Sequence, residues 1–487
     1  MTNREQLAWA VVAAPAVIAV LVLVVPRRVA TAFALVGAFV TAGLALALSV
    51  LAFRSLSDPV VGKWIVVDAA GGLLVAVVAI VGLATVLVSP AYLAGVDSSL
   101  GSAARRTHSY FSVLYAFWAV LFAVTLVGNL GGAWLLIEAT TAVSALLVGF
   151  SGKARALEAG WKYLILTSLG LGVALLGIVV LAAGIPGGGI GALSWHALPT
   201  YSAGSQSALV AYVLLLAGLA AKIGWAPVHN WLPDAHSEAP PPVSALLSAA
   251  LLPVVLLIAW RSEHALAPVI GARAGQNVLI FFGLVSLAVA IPFLWRSLPW
   301  KRLLAYSSLE HMGVIALGIG FGTPLALAGV AVHIAAHAVA KALGFYAATP
   351  LLEHAPRATE RAVTGIARTY PALGGVMGLS LGALAGLPPS PLFLSEVLIV
   401  AGGFEAGRSW AAVAAALLLA LGFLGLAHAL LETTVGKARR RDPSSRRGRR
   451  TLVLLGGASL ALLLGLSAAA LWLPGSAFVD ALLQGIS

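Results

Sequence analysis

Several side chains that can hold or release a proton lie in parts of this sequence that are otherwise strongly apolar. The densest group is the segment 222–242, which contains Lys222, two histidines, two carboxylates and five prolines. A charged side chain at the centre of a bilayer costs about 2.5 to 3.5 kcal/mol on insertion scales, and such residues usually mark ion or proton paths. Pro227 lacks a backbone donor and predicts a helix break close to Lys222. The segment therefore predicts an ion-conducting site inside a membrane.

Glu138 lies in the middle of a second apolar stretch, between Trp134 and Thr141. An opposite charge nearby stabilises the ionised form of a buried acid or base. If Glu138 and Lys222 approach each other and then separate, Lys222 would alternately hold and release a proton. The alternative interpretation is a static ion pair that fixes the packing of two helices.

Three further groups share one helical spacing: His333, His337 and Lys341 follow each other at intervals of four residues. On an α-helix this spacing forms a stripe about 12 Å long. Histidine exchanges protons near physiological pH, which suits a relay. The alternative is that the histidines bond to neighbouring backbone. Metal binding by the two histidines lacks a third ligand in the same pattern, so no metal is expected.

Glu396 follows a second helix-breaking segment, Gly386 to Pro391. It is interpreted as the far-side proton acceptor, and the alternative is a carboxylate that caps the second half-helix. Five weaker candidates have turn or cap roles as their alternative. They are His229, Asp234, His236, Glu310 and His311.

The composition predicts an all-α polytopic membrane protein to hold these residues. Of 487 residues, 61% are hydrophobic and 9% are charged, whereas soluble domains carry about 25% charged residues. At about 20 residues per crossing, the apolar stretches predict about fourteen membrane-spanning helices, with the sixth at 160–184 and the seventh at 207–227. Lys162, near the start of the sixth, is interpreted as an interfacial residue, and Lys301 is assigned to a loop. The absence of cysteine excludes thiolate metal sites and cysteine-ligated iron–sulfur clusters from this chain, and no cofactor is predicted.

The order of the predicted helices indicates an internal repeat. Helices four to eight and nine to thirteen form two blocks of five, each with a proline-broken helix in fourth place. An odd number of crossings inverts the second block, which is the pattern of inverted-repeat transporters. The predicted divisions are 1–108 for the first three helices, 109–261 and 262–433 for the two repeats, and 434–487 for a basic loop and the last helix.

Basic residues predict the orientation. Twenty of them fall in odd-numbered loops and six in the N-terminal tail and even-numbered loops, so both termini are expected outside the cytoplasm. The net charge of +12 could suggest nucleic acid binding, but eight basic residues fall in the loop 437–450 between two apolar segments. A cytoplasmic loop near anionic lipid explains them better, and no nucleic acid partner is predicted.

The run Pro227-Val-His229-Asn-Trp231-Leu-Pro-Asp234-Ala-His236 resembles the signature of antiporter-like proton-translocating membrane subunits. That family includes subunits of respiratory complex I, Mrp antiporters and membrane-bound hydrogenases. The motifs around Glu138, Lys162, Glu310 and Glu396 are most similar to the hydrogenase-4 and formate hydrogenlyase branch. The resemblance implies that Glu138 and Lys222 form the functional pair, that His333, His337 and Lys341 lie on a central hydrophilic axis, and that Glu396 ends it.

One departure from the family concerns Pro253, since some relatives carry a lysine at about this place in helix eight. The link between the two half-channels would then run through water or histidines. The leading hypothesis is a proton-translocating subunit of a hydrogenase-4-like or complex I-like complex in a bacterial inner membrane, with other membrane and peripheral subunits as partners. The alternatives are an Mrp-type cation/proton antiporter subunit with sodium at the carboxylates, a complex I proton-pumping subunit, and a structural anchor that no longer conducts.

Overall fold

A computed structural model describes residues 2–95, 103–185, 190–201, 204–354, 362–437 and 449–485. The described chain is almost entirely helical, and thirteen of its helices are long and apolar enough to cross a membrane. The first half contains α1 (Asn3–Val24), α2 (Arg27–Arg54), α3 (Ala69–Gly95), α4 (Ala103–Leu126), α5 (Leu130–Val148), α6 (Ala154–Ala183), α7 (Ser205–Ile223), α8 (Leu232–Glu238) and α9 (Pro241–Leu246).

The second half contains α10 (Leu252–Ile270), α11 (Ala272–Leu294), α12 (Trp300–Phe321), α13 (Pro324–His354), α14 (Ile366–Thr369), α15 (Pro371–Leu384), α16 (Pro391–Glu405), α17 (Ser409–Val435), α18 (Arg449–Trp472) and α19 (Ala477–Gln484). A small antiparallel hairpin, β1 (Val60–Val61) with β2 (Val66–Val67), lies between α2 and α3. The predicted all-α polytopic fold is confirmed.

The first predicted helix break is present and begins earlier than expected. Helix seven was predicted to reach residue 227, but α7 ends at Ile223 because Gly224 takes a left-handed conformation with φ of +82°. A residue with a side chain is strained in that conformation. The chain resumes as the short helix α8, which begins at Leu232. Lys222 is therefore in the last turn of a half-helix.

The second break divides α15 from α16. Gly386 adopts a φ of +70°, and Pro388 and Pro389 follow it. The Ser390 hydroxyl caps α16 by accepting a hydrogen bond of 3.2 Å from the backbone N–H of Leu392. When α15 and α16 are counted together as one interrupted crossing, the described chain has the fourteen crossings that the apolar stretches predict.

Burial separates an inner set of helices from an outer set. Every residue in the most apolar window of the span Pro241–Ile270 is buried, and the same holds for α12. In α18 only 22% of the corresponding window is buried, and exposed leucines cover its outer face. A helix that is apolar on all sides but exposed is stable only in lipid. The fully buried candidates Lys222, His333, His337 and Lys341 therefore lie inside the bundle, away from the acyl chains.

Close helix contacts in this interior depend on small residues. On α7, a Cβ atom added at Gly218 would come within 2.4 Å of the backbone nitrogen of Ala174 on α6. Small residues of this kind let membrane helices approach each other closely. The approach brings α7, which carries Lys222, against α6, which carries Tyr163.

Parts of the predicted charge pattern lie outside the described residues. They are Arg357, Arg361 and most of the basic segment 437–450, namely 438–448. The predicted boundaries of the two repeats stay a prediction.

Candidate proton pathway

Lys222 is fully buried and bonds to hydroxyl groups from two neighbouring helices. Its Nζ donates to Thr141 Oγ1 on α5 at 2.6 Å and to the Tyr163 hydroxyl on α6. The Tyr163 hydroxyl also shares a hydrogen bond of 2.7 Å with Ser144 Oγ. Hydrogen bonds to a charged group are stronger than those between neutral groups. The lysine therefore ends a short chain of hydroxyls between α5 and α6.

Glu138 lies on the same helix as Thr141, one turn earlier. Within the described part of the chain, Glu138 and Lys222 form no ion pair within 4.0 Å. One carboxylate oxygen of Glu138, Oε2, is buried without a hydrogen-bond partner. The group of α5 that Lys222 contacts is therefore the Thr141 hydroxyl, one turn from the Glu138 carboxylate. The sequence analysis missed Thr141, Ser144 and Tyr163, although their polar side chains stand out in apolar helices.

His236 on α8 lies between the two halves of the molecule. It is fully buried, and neither ring nitrogen has a hydrogen-bond partner among the described residues. Its ring centre is 6.3 Å from that of Trp231 and 5.5 Å from that of Phe345 on α13. His229, in the break itself, is 9% exposed and also has an unpartnered buried nitrogen, Nδ1. Buried polar atoms without partners are rare and point to a functional role.

Asp234, in contrast, lies outside this interior. Its carboxylate is 3.2 Å from Arg302 and 3.7 Å from Lys162, and about a third of its side chain is exposed. These residues line a polar cavity of about 850 Å³ at the ends of α6, α8, α11 and α12. The sequence-based reading of Lys162 as an interfacial residue agrees with its exposed position, although α6 begins at Ala154 and places it two turns into the helix.

Lys301 was assigned to a loop from the sequence, but the structure buries it. Only 5% of this residue is exposed. Its Nζ donates to the backbone oxygens of Ser237, at 2.7 Å, and Ala239, just after the helix break. The lysine therefore fixes the end of α8 to the start of α12. Nothing in its loop position distinguished it from the exposed basic residues nearby.

The stripe on α13 is buried along its whole length: His333, His337 and Lys341 are each 0% exposed. Lys341 Nζ donates to the backbone oxygen of Leu304 and to Ser307 Oγ, both on α12. Both ring nitrogens of His337 are unpartnered within the described residues. His337 therefore does not bond to nearby backbone, which was the alternative interpretation of the stripe.

At the other end of the stripe, side chains from three helices form one connected group. His311 Nδ1 on α12 and His333 Nε2 on α13 share a hydrogen bond of 3.0 Å. His333 Nδ1 bonds to Ser395 Oγ on α16 at 2.9 Å. Ser395 precedes Glu396, so the histidine pair connects the stripe to the second broken helix. The sequence analysis placed His311 among the weaker candidates because a turn or cap role was its alternative, and its bond to His333 on another helix was not visible in the sequence.

Glycines make room for the two carboxylates at this end. A Cβ atom at Gly422 on α17 would lie 2.0 Å from Oε1 of Glu310, so a larger residue there would displace this carboxylate. A Cβ atom at Gly386 would lie 3.1 Å from Glu396 Oε2. Since Ser390 caps α16, Glu396 is not needed as the cap that was its alternative role. Both carboxylates are thus held by the packing around them.

Helix eight, where Pro253 was noted, contributes a hydroxyl instead of a charge. Residues Leu247–Leu251 form a π-helical turn immediately before α10. Ser248 in this turn shares a hydrogen bond of 2.7 Å with Ser308 on α12. Turns of this type occur frequently at functional sites. Ser308 follows Ser307, the partner of Lys341, so helix eight adjoins the stripe through hydroxyl groups.

Comparison with known proteins gives consistent matches over most of the chain. Residues 127–422 match the family described as "NADH:quinone oxidoreductase/Mrp antiporter, TM". A hydrogenase-4 component F homolog from Methylacidiphilum infernorum is 32% identical over 387 residues, which cover 78% of this chain and 80% of the relative. NADH-quinone oxidoreductase subunit N from Desulforudis audaxviator is 31% identical and covers 72% of this chain and 69% of the relative.

A solved structure matches almost the whole fold. A chain of the membrane-bound sulfane sulfur reductase, an archaeal respiratory membrane complex, superposes with a TM-score of 0.83. The match covers 98% of this chain and 100% of that chain at 18% sequence identity. The two chains therefore share the arrangement of their helices, but their low sequence identity does not show that individual residues have the same roles.

Proposed function

This chain belongs to the NADH:quinone oxidoreductase/Mrp antiporter transmembrane family, and we propose that it carries protons across a membrane as an antiporter-like subunit of a redox-driven complex. The family resemblance predicted from the sequence is confirmed. The relatives are named as a hydrogenase-4 component and a subunit of NADH-quinone oxidoreductase. We propose partner membrane and peripheral subunits that carry out the redox chemistry.

The observation that carries the proposal is the buried row of ionisable side chains. We propose that this row runs from Lys222 through His236 to the stripe on α13, and from there to Glu396; burial of Lys222, His236 and the stripe supports it. Ionisable residues at membrane depth are expensive and are retained mainly where they line a proton or ion path. A structural anchor would not need lysines and histidines that are fully buried between helices.

We propose distinct roles along this row. Glu138 and Lys222 form the functional pair at one end, with Thr141 and the Tyr163 hydroxyl between the helices. His236 connects this pair to Lys341 and His337. His311 and His333 then pass the proton to Glu396, the acceptor at the far end. Steps between groups that do not touch require bridging water, which is comparable in strength to a direct hydrogen bond.

We expect the complex, purified and reconstituted in vesicles, to acidify one compartment during turnover without any requirement for sodium. The interior groups support this expectation because the row contains histidine and lysine nitrogens, whereas hard cations prefer oxygen ligands. The measurement is the signal of a pH-sensitive dye in sodium-containing and sodium-free buffers. Sodium-dependent acidification would favour the alternative, an Mrp-type cation/proton antiporter subunit, and absence of acidification would contradict proton transport.

We further propose a multi-pass location in a bacterial inner membrane with both termini outside the cytoplasm. The even number of crossings and the basic residues of the odd-numbered loops support this orientation. Alkaline phosphatase fused to the C-terminus is expected to be active, because it folds outside the cytoplasm. A green fluorescent protein fusion at the same point is the control and is expected to stay dark. The reverse result would contradict the orientation.

The two five-helix repeats, 109–261 and 262–433, remain part of this proposal. Comparable contacts around the two broken helices support them. Lys222, beside the first break, contacts the second and third helices of its block, α5 and α6. In the other block, Ser395 lies next to Glu396 beside the second break and bonds to His333 on the third helix, α13. His333 in turn bonds to His311 on the second helix, α12.

A further inference from the structure

The cluster at the far end of the row has a composition that fits a metal ion as well as a proton. His311, His333 and Glu396 each present one donor atom, and all three atoms lie within 4.8 Å of one another. The residues come from three different helices, α12, α13 and α16, so the sequence spacing gave no sign of a third ligand. We propose that they form a binding site for a divalent transition metal ion of the zinc type.

The donor set selects the class of metal. Two imidazole nitrogens and one carboxylate oxygen suit zinc, cobalt or copper, while sodium, magnesium and calcium prefer sites made of oxygen. Three protein ligands with a fourth position for water is a common zinc arrangement. Tetrahedral zinc places neighbouring donors about 3.4 Å apart, and the two histidine nitrogens are already 3.0 Å apart. The carboxylate oxygen of Glu396 lies within 4.8 Å of both nitrogens and would have to move closer to complete the site.

A second contact orients one of the ligands. Ser395 Oγ bonds to Nδ1 of His333 at 2.9 Å and directs the opposite nitrogen, Nε2, toward the cluster. Histidine ligands of metals usually have such a partner on the second nitrogen, and losing it typically weakens binding 10- to 100-fold. The ligand histidine is therefore held in the orientation that a metal requires.

A further carboxyl group and an access route are both present. Glu310 precedes His311, is 4% exposed and has an unpartnered oxygen, Oε2. The ring of His337 on α13 also lies beside that of His311, with 5.2 Å between the ring centres. Both ligand histidines are buried whereas Glu396 is partly exposed beside the helix break at Gly386, so the ion would approach from that side.

Occupancy of the site should also stop proton transport, a consequence that rests on the proposed function. A metal bound to His311 and His333 removes the nitrogens that would otherwise exchange protons. Zinc is then expected to inhibit translocation, and the inhibition should be reversed by a chelator. Metal binding itself does not depend on that function and is measured separately.

The direct test is cobalt binding to the purified complex carrying an affinity tag without histidine. Wild type is expected to bind one cobalt ion with the visible absorption of a tetrahedral site, and zinc should displace it. His333→Ala and Glu396→Gln should lose this spectrum, and Ser395→Ala should weaken binding roughly 10- to 100-fold. His428→Ala, which removes an exposed histidine from α17, is the matched control and should bind as wild type does.

The outcomes separate the two proposals. If the cobalt absorption spectra of wild type and of the His333→Ala variant are the same, the proposed metal site is wrong, whatever the transport measurements show. If cobalt binds in this way but zinc does not inhibit transport, the metal site stands and the role of the histidine pair in proton transfer is wrong. Loss of binding in the His428→Ala control would also overturn the assignment of the site.

Discussion

Replacing Lys222 by methionine is expected to lower proton translocation at least about tenfold while electron transfer by the partner subunits continues. Methionine has a similar volume but carries no proton, so Thr141 and the Tyr163 hydroxyl lose the ammonium group they now contact. An increase of only about 1.4 kcal/mol in a transfer barrier gives a tenfold slower rate. The measurement is the ratio of protons moved to electrons transferred in reconstituted vesicles, recorded together with the rate of each.

The matched control is Lys162→Met, because this lysine lies on α6 but is about half exposed and pairs with Glu158. An exposed ion pair contributes little to stability, so the control is expected to translocate protons as wild type does. Comparable assembly and thermal stability of both variants would show that neither has simply unfolded. A Lys222→Met complex with the wild-type proton-to-electron ratio would rule out the proposed row.

Replacing Asp68 by asparagine is expected to destabilise the protein by about 3 kcal/mol, since it breaks a buried ion pair. Asp68 Oδ1 accepts a hydrogen bond of 2.8 Å from Arg261 Nη2, and the two side chains are only 8% and 4% exposed. Removing one partner of a buried pair leaves an uncompensated charge and typically costs 3 to 5 kcal/mol. The backbone N–H of Gly71, in the first turn of α3, donates a hydrogen bond to Asp68 Oδ1. An asparagine side chain can accept the same bond, so the helix cap is retained.

The expected result is a thermal unfolding midpoint several degrees lower in detergent, measured by intrinsic fluorescence. The exposed pair Arg4–Asp58 offers a control, because Asp58 is 77% exposed and Asp58→Asn should change stability by less than about 1 kcal/mol. Adding Arg261→Met to the Asp68→Asn variant removes the uncompensated charge and should restore most of the stability. If the single variant were as stable as wild type, the pair would not hold α3 to α10.

Most of the helices could be predicted from the sequence because apolar runs of membrane length leave few alternatives. Errors occurred at the ends. Helix seven was extended past Gly224, since its left-handed conformation is not visible in an apolar run. Helix six was started too late, because residues 154–159 are more polar than the rest of α6, yet they belong to the same continuous helix.

The candidate site was predictable only along single helices. The stripe of His333, His337 and Lys341 follows from a helical period of 3.6 residues, and all three are buried as that period suggests. Contacts between helices could not be obtained in this way. His311 was ranked low because a turn or cap role fitted it, and its bond to His333, 22 positions away on another helix, could not be seen in the sequence. Lys301 was placed in a loop because its bonds to the end of α8 depend on packing.

The sequence by itself determined that this chain is embedded in a membrane, that two of its helices are broken, and that ionisable side chains lie beside the breaks. These properties depend on local composition, on proline and glycine, and on the spacing of residues along one helix. Only the tertiary structure decided that Lys222 bonds to hydroxyls instead of Glu138, and that His311, His333 and Glu396 converge. Such contacts depend on how closely and at what angle the helices pack, which no pattern along the chain specifies.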